Sequence, residues 1–579
     1  MRGIRKGVLL IAALVCIGLF INRELKNFNY EAKVLEEIVL VDEMEGIEIS
    51  YTIWEAAKMQ TCYVVLPSMY AAKKIDFQIQ YNQNFYKLYI DDKMYQSGEM
   101  WEGLTGEMVY RLRAEDIFGR ILLEKPLQIL ISENLPVMMV TVDSKDALYE
   151  IKEYSNKQYA EKGNIVMFDG KGNPVVDEQL KKIAVRGNTS AKLSKKPFRI
   201  EFMEPVSLCG MAPATQWNLI ANAKDGTHIR NKMILDWAKE LGEDYNVSCD
   251  YVELFINGQY QGIYLLTETV TVGENRLELD TQNSVLAEME LYYRVEESAH
   301  YFSTRQQHYW VLHSENYLKE EEIVKIKEHF DEIESALYAK DGKGEKTGKD
   351  LQELLDFDSW TDAWLLEEIS SDVDLGTTSQ FAYIKDWNSR SPLMAGPEWD
   401  FDSTLGNSSL EAFREPRNLV AAIWNTKGIQ CITQNKWLAP MYENEAFKTA
   451  LIEKYEQEIR PKIQTLLEEE IDNYILKIRR AVLLDALRWR GNGITDYTYQ
   501  PKEFEAAKTG DYHRYDIIDK QVDYLKEFLR EKEKFLTELW LEGVEFEVII
   551  EERNFDGMNL ELNNDIYTWI RKEDMEDKK

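Results

Sequence analysis

The chemistry in this 579-residue chain is densest at residues 396–407, which read GPEWDFDSTLGN. Asp400 and Asp402 flank Phe401, so in a strand both carboxylates face one side. Two carboxylates on one side suit a hard cation such as Mg²⁺, which prefers oxygen ligands. Upstream, Ser371-Asp372-Val373-Asp374 closes a helical pattern. An aspartate delivered from such a separate loop is what phosphoryl transfer uses to position a hydroxyl nucleophile. Read structurally, the same residues are turns capped by aspartates.

The candidate cations lie earlier, in RGNTS (residues 186–190) and KKPFRIEF (residues 195–202). Phe198, Ile200 and Phe202 alternate onto one face, and Lys196 shares their parity. That parity predicts an ammonium on the core side, which needs an anion or a route to water. It either snorkels at a strand end or holds a phosphate. Arg186, with Gly187 and Asn188, reads as a close-approach turn offering backbone N–H groups and a guanidinium. Glu268 ends a later strand, where it pairs with Lys196 or touches a nucleotide. The six histidines form no metal-binding pattern, and no Walker A, G-x-G-x-x-G or G-x-S-x-G motif occurs. Serine hydrolase, P-loop and Rossmann chemistries are excluded.

These residues need elements to carry them. Short strands separated by turns predict a β-sandwich module over residues 37–134. A mixed region follows, with strands at 137–142, 164–168, 182–185 and 197–202 and a helix over 226–241. Tyr251–Ile256, Asn257-Gly258 and Gln259–Leu266 read as a hairpin with a type I′ turn. DGKGEKTGKD (residues 341–350) reads as a solvated, flexible loop, and residues 360–369 as a helix leading to the acidic segment. Residues 435–542 read as helical, with an apolar seam at Ile518, Val522, Leu525, Leu529, Leu536 and Leu539 stopped by Gly543. The tail carries a possible strand pair around Asn554–Gly557.

Composition constrains the partners. With 102 acidic and 69 basic residues the net charge is −33, which repels phosphate backbones and excludes a nucleic-acid binder. It favours metal ions, basic protein segments or cationic wall material. A surface so negative also requires any nucleotide pocket to be locally basic or to use Mg²⁺. The five cysteines form no C-x-x-C pair, and the four outside the N-terminal run are expected as reduced thiols. Arg2, Arg5 and Lys6 precede an uncharged apolar run at residues 7–21. This predicts a signal peptide or, preferably, an uncleaved membrane anchor over residues 1–23, with the bulk of the chain outside the cytoplasm. Residues 24–36 read as a polar stalk.

The series RGNTS…KKPFRIEF, WNLIANAKDGTHIRN, YVELFINGQYQGIYLLTE and GPEWDFDSTLGN resembles the CotH family of spore-coat-type atypical protein kinases. The resemblance runs in order from about residue 135 to 407 and more loosely through the C-terminal helices. It implies an α+β fold: a minimal atypical kinase-like core (135–430), preceded by the small β-sandwich module, followed by a helical part (431–543) and a tail (544–579). It implies transfer of the γ-phosphate of ATP to protein serines or threonines, with Mg²⁺. By motif, Lys196 matches the phosphate-binding lysine, with Arg186 and Glu268 as further nucleotide contacts. Asp374 matches the catalytic aspartate, Asp400 the metal-binding aspartate, and Asp402 a second ligand. Where ordinary kinases carry a metal-binding asparagine, this chain has Ser379, followed by Gln380 as a weaker oxygen donor. The segment Leu375-Gly376-Thr377-Thr378 is smaller than the family usually carries.

Two other functions compete. One is a non-catalytic surface or coat assembly protein, with a degenerate kinase-like domain and a β-module contacting wall polymer. The other is a carbohydrate-active enzyme using Asp374 and Asp400 as paired carboxylates, which needs a separation of about 5–9.5 Å.

Overall fold

The computed structural model describes residues 30–576 except 45, 57–59, 72–73, 107, 145–147, 150–159, 189, 243–244, 280–281, 292–294, 296–298, 315–316, 409–412, 424–434, 491–515 and 552–565. The apolar run at 7–21, Thr189, Cys431 and the turn at Asn554–Gly557 lie outside the described residues. Among those described, no helix is long and apolar enough to cross a membrane. Helices and strands are mixed, as an α+β chain requires.

Residues 30–36, expected as stalk, instead begin a helix, Tyr30–Glu37, that buries Val34 and Leu35 in the first module. Lys125 reinforces it by pairing with Glu31 at 2.5 Å and Glu55 at 2.6 Å. The module has two sheets. One orders β2 (Ile47–Thr52), β1 (Val39–Met44), β5 (Ile75–Gln80) and β8 (Met100–Leu104). The other orders β3 (Trp54–Ala56), β4 (Thr61–Leu66), β10 (Ile121–Ile131), β9 (Val109–Asp116), β6 (Tyr86–Ile90) and β7 (Lys93–Tyr95). Their buried side chains form one hydrophobic cluster, which also takes in Phe255, Tyr260, Leu484 and Leu487 from the rest of the chain.

A closed seven-stranded barrel follows: β11 (Val137–Val142), β12 (Ala160–Phe168), β13 (Pro174–Val185), β14 (Phe198–Val206), β15 (Ala214–Ile220), β17 (Gln259–Thr267) and β16 (Cys249–Ile256). The parallel pairing of β11 with β16 closes it. The β16–β17 hairpin turns at Asn257 (φ 48°) and Gly258 (φ 74°), the two positive-φ positions of a type I′ turn. Phe198, Ile200 and Phe202 all point into the barrel core.

Beyond the barrel, a five-stranded sheet orders β19 (His300–Ser303), β20 (Tyr309–His313), β18 (Val285–Glu290), β21 (Phe381–Ile384) and β22 (Leu393–Ala395). Helix Phe357–Ser370 packs here, buried on nearly every side. Its Trp360 and Trp364 indoles donate to the carbonyls of Leu393 and Leu438, each at 2.9 Å. Glu368 of the same helix pairs in the core with Lys532 at 2.5 Å. The C-terminal helices run from Glu445 to Arg490, with π segments at Tyr455–Ile459 and Leu466–Glu470, and from Asp516 to Trp540.

Residues 341–350 are largely exposed, as a solvated loop requires, and are anchored by buried Glu332, which accepts from the amides of Lys346 and Thr347 and from the Thr347 hydroxyl. The expected strand pair in the tail is present as β23 (Phe546–Glu551) with β24 (Ile566–Arg571), which flank Asn554–Gly557 in the chain. Cys62, Cys209 and Cys249 are free thiols.

Candidate active site

Five segments meet around a cavity of about 440 Å³ between the barrel and the five-stranded sheet. The β13–β14 connection contributes Arg186, Gly187 and Asn188, and the segment after β15 contributes Asn222 and Lys224. Glu288 and Glu290 come from β18, Asp374 and Ser379 from the turn after helix Phe357–Ser370, and Trp399, Asp400 and Asp402 from the last loop. Of the residues singled out in the sequence, Arg186, Asp374, Asp400 and Asp402 therefore line one cavity, whereas Lys196, Glu268 and Gln380 are not among its lining residues.

Asp374 is delivered by a capped helix end. Asp356 caps the N-terminus by accepting from Ser359 N, and Ser371 ends the helix at φ 50° in the left-handed region. Asp372 Oδ1 then accepts the Asp374 amide at 3.0 Å, while the Asp374 carbonyl accepts from the Thr377 hydroxyl at 2.8 Å. The small residues of this segment have a packing reason. Gly376 sits at φ 61°, and a Cβ there would lie 2.5 Å from Asn435 Oδ1.

Asp400 and Asp402 share the cavity, but not by strand alternation. The segment around them is irregular, with Asp400 at φ 72°. Phe401 is fully buried between them, and its amide donates to Asn231 Oδ1 at 2.7 Å. Burial pushes Asp402 up to about 6, neighbouring Asp400 adds to the rise, and Lys224 opposes it. In helix Phe357–Ser370, burial and then Glu398 hold Glu367 well above the usual carboxylate range.

Lys196 departs from its expected place. The strand begins only after Pro197, so alternation does not carry back to it. Lys195 is the buried lysine, while Lys196 is half-exposed, with Nζ donating to the Ala191 carbonyl at 2.8 Å. Glu268 likewise serves a structural cluster: it pairs with Arg276 at 2.9 Å and accepts from Tyr245 Oη and Ser248 N, both at 2.9 Å. Gln380 is buried, with neither polar atom of its side chain hydrogen-bonded.

Arg186 stands over the Trp399 ring at 5.4 Å. Burial lowers its pKa to about 10, with Arg199 adding to the fall. Gly187 allows the close turn: at φ 84°, a Cβ would lie 2.3 Å from Ser190 Oγ. The residue that the motifs missed is Lys224, which lines the cavity from ANAKDG. Its sequence signal was a single cation in an otherwise uncharged run before Asp225.

The lining carries five carboxylates (Asp374, Asp400, Asp402, Glu288 and Glu290) against Arg186 and Lys224. The cavity is thus acidic rather than locally basic, and a polyanion entering it requires a divalent cation. The donor set fits Mg²⁺: hard oxygens, with one aspartate raised by burial and then by its neighbour's charge. Among the described residues, no three His, Cys, Asp or Glu side chains converge on a metal position. That suits Mg²⁺, which commonly takes one or two carboxylates and completes its shell with phosphate oxygens and water.

No curated protein matches the chain. Among solved structures, SGBP-B of the Bacteroides ovatus mixed-linkage glucan utilization locus, in complex with a mixed-linkage heptasaccharide, is similar at 10% identity. The similarity covers 46% of this chain and 90% of that one at a TM-score of 0.09. The profile of the CotH kinase protein family matches residues 183–536, a span that contains every residue lining the cavity. The chain belongs to the CotH kinase protein family.

Proposed function

We propose that this protein is an atypical protein kinase that transfers the γ-phosphate of ATP to serine or threonine hydroxyls of a secreted or cell-surface protein. The observation that carries this reading is the meeting of Asp374, Asp400 and Asp402 with Arg186 and Lys224 around one cavity. Asp400 and Asp402 would hold Mg²⁺, which supplies charge neutralisation to the phosphates. Arg186 binds phosphate oxygens through a guanidinium held over Trp399. Asp374 orients the acceptor hydroxyl, and one of its Oδ atoms takes the hydroxyl proton. Trp399 and the apolar wall of Leu193, Pro197 and Ile220 exclude water from the nucleotide side.

Purified protein incubated with radiolabelled ATP and Mg²⁺ should label itself or a serine-rich acceptor, and Asp400→Ala should abolish labelling. Equal labelling by that variant would overturn the mechanism.

A second reading, a non-catalytic nucleotide-dependent assembly protein, is favoured by Ser379 in the place of the kinase asparagine. Nucleotide binding without transfer would select it. We also propose an extracytoplasmic location with anchoring by residues 7–21, supported by the apolar run and its basic flank. Contact between the β-module and wall polymer belongs to the same proposal. Cleavage of the β-module by protease added to intact cells would support the location, and full protection would oppose it.

A further inference from the structure

The nucleotide reading leaves one question: which lysine meets the phosphates. The two that the KKPFRIEF motif offers are directed elsewhere. Lys195 is 2% exposed and pairs with Asp485, and Lys196 Nζ donates to a carbonyl outside the cavity lining.

Lys224 is placed differently. Every residue of the stretch 221–231 is buried except Lys224, which is half-buried and lines the cavity. The stretch is stapled to the loop that carries Asp400 and Asp402. Arg230 bridges Asp225 at 2.5 Å and the Thr404 carbonyl at 2.9 Å. Asn407 Nδ2 donates to both the Lys224 carbonyl (3.2 Å) and the Asp402 carbonyl (2.7 Å). One buried amide therefore sets the backbone that carries the cation against the backbone that carries the metal-type carboxylate.

Resting on the kinase reading, we infer that Lys224 binds the terminal phosphates of the nucleoside triphosphate, and that Asn407 positions it against Asp402. The physical ground is charge placement. Asp400 and Asp402 would hold the metal that neutralises the phosphates, and Lys224, whose charge acts on Asp402, is a lysine lining the same cavity. Asn407 touches no substrate; it acts through the two carbonyls.

The test is isothermal titration of the full chain with ATP, ADP and adenosine, each with Mg²⁺. Lys224→Met should weaken ATP by about tenfold or more, ADP by less, and leave adenosine unchanged. Lys196→Met should not reproduce that ranking. Asn407→Ala should weaken ATP in the same direction, and the Lys224→Met/Asn407→Ala double variant should bind ATP about as the lysine variant does. Additive losses, or an equal loss for adenosine, would overturn the positioning role. Unchanged ATP affinity in Lys224→Met, or its loss in Lys196→Met instead, would overturn the assignment of Lys224. Wild-type protein that binds no nucleotide at all would remove the kinase reading and this inference with it, an outcome distinct from the others.

Discussion

The Lys195 ammonium and the Asp485 carboxylate form an ion pair inside the protein, 2% and 0% exposed, joining the connection before β14 to helix Ile471–Arg490. Lys195 also donates to the Ile263 carbonyl at 2.6 Å, and Asp485 accepts the Ile263 amide at 3.2 Å. Breaking such a pair strands a buried charge, so Lys195→Met or Asp485→Asn should each cost about 3–5 kcal/mol in denaturant unfolding. The double variant Lys195→Met/Asp485→Leu should recover much of that loss, because neither charge remains. Gly262→Ala should mimic the break: Gly262 sits at φ 98°, and a Cβ would lie 2.0 Å from Asp485 Oδ2. Wild-type unfolding midpoints in the single variants would show that the pair does not fix the helix.

Asp374→Asn tests the chemical step separately from binding. The substitution keeps the shape of the turn made by the Asp374 carbonyl with Thr377 and Thr378, but removes the proton acceptor. Phosphate transfer should fall by about 10²–10⁴-fold with ATP affinity near wild type. A parallel loss of ATP binding would mean that Asp374 holds nucleotide or metal rather than the acceptor.

How far the sequence discloses this site depends on the range of the interactions involved. The Asn257-Gly258 hairpin, the helix before Ser371 and the apolar face of Phe198, Ile200 and Phe202 are local, so spacing alone reveals them. Closure of the barrel is not local: it needs β11 beside β16, which only the folded chain brings together. The exchange of Lys196 for Lys195 as the buried lysine has the same origin. Pro197 interrupts the alternation, and the partner that selects Lys195 lies on the distant C-terminal helix. Glu268 pairs away from Lys196 for a related reason: Arg276 reaches it from a turn with no regular pattern. Asp400 and Asp402 were paired for the wrong reason, since a positive φ and a buried Phe401, not a strand, turn them to one side. Lys224 escaped because nothing in its type marks it; its importance comes from being the unburied residue of a buried stretch.

Ser379 offers a gain-of-function test. It lines the cavity with φ 59°, a conformation that asparagine adopts more readily than serine. Ser379→Asn should therefore fold at least as stably as wild type and add an amide oxygen where ordinary kinases bind their second metal ion. Mg²⁺-dependent ATP affinity, measured by titration at fixed nucleotide, should tighten severalfold. Unchanged Mg²⁺ dependence would show that position 379 faces away from the metal.

The raised Asp402 carboxyl gives the protein a pH signature. In the folded chain it titrates at about 6, because of burial and then Asp400, whereas an unfolded aspartate titrates lower. The folded state therefore holds this proton over a window where the unfolded state has released it. By linkage, that contribution is fully favourable below the ordinary aspartate range and is lost as pH rises through about 6. Asp402→Asn removes the titration, so without Mg²⁺ its melting temperature should exceed that of wild type at pH 7.5 by about 2 °C or more. The difference should shrink as pH falls toward 4. Adding Mg²⁺ with nucleotide should reverse the order at pH 7.5, since the ionised carboxylate then has a cation to meet. A melting difference that stays constant from pH 4 to 7.5 would mean that Asp402 is already ionised across this range and that its neighbours do not hold the proton on it.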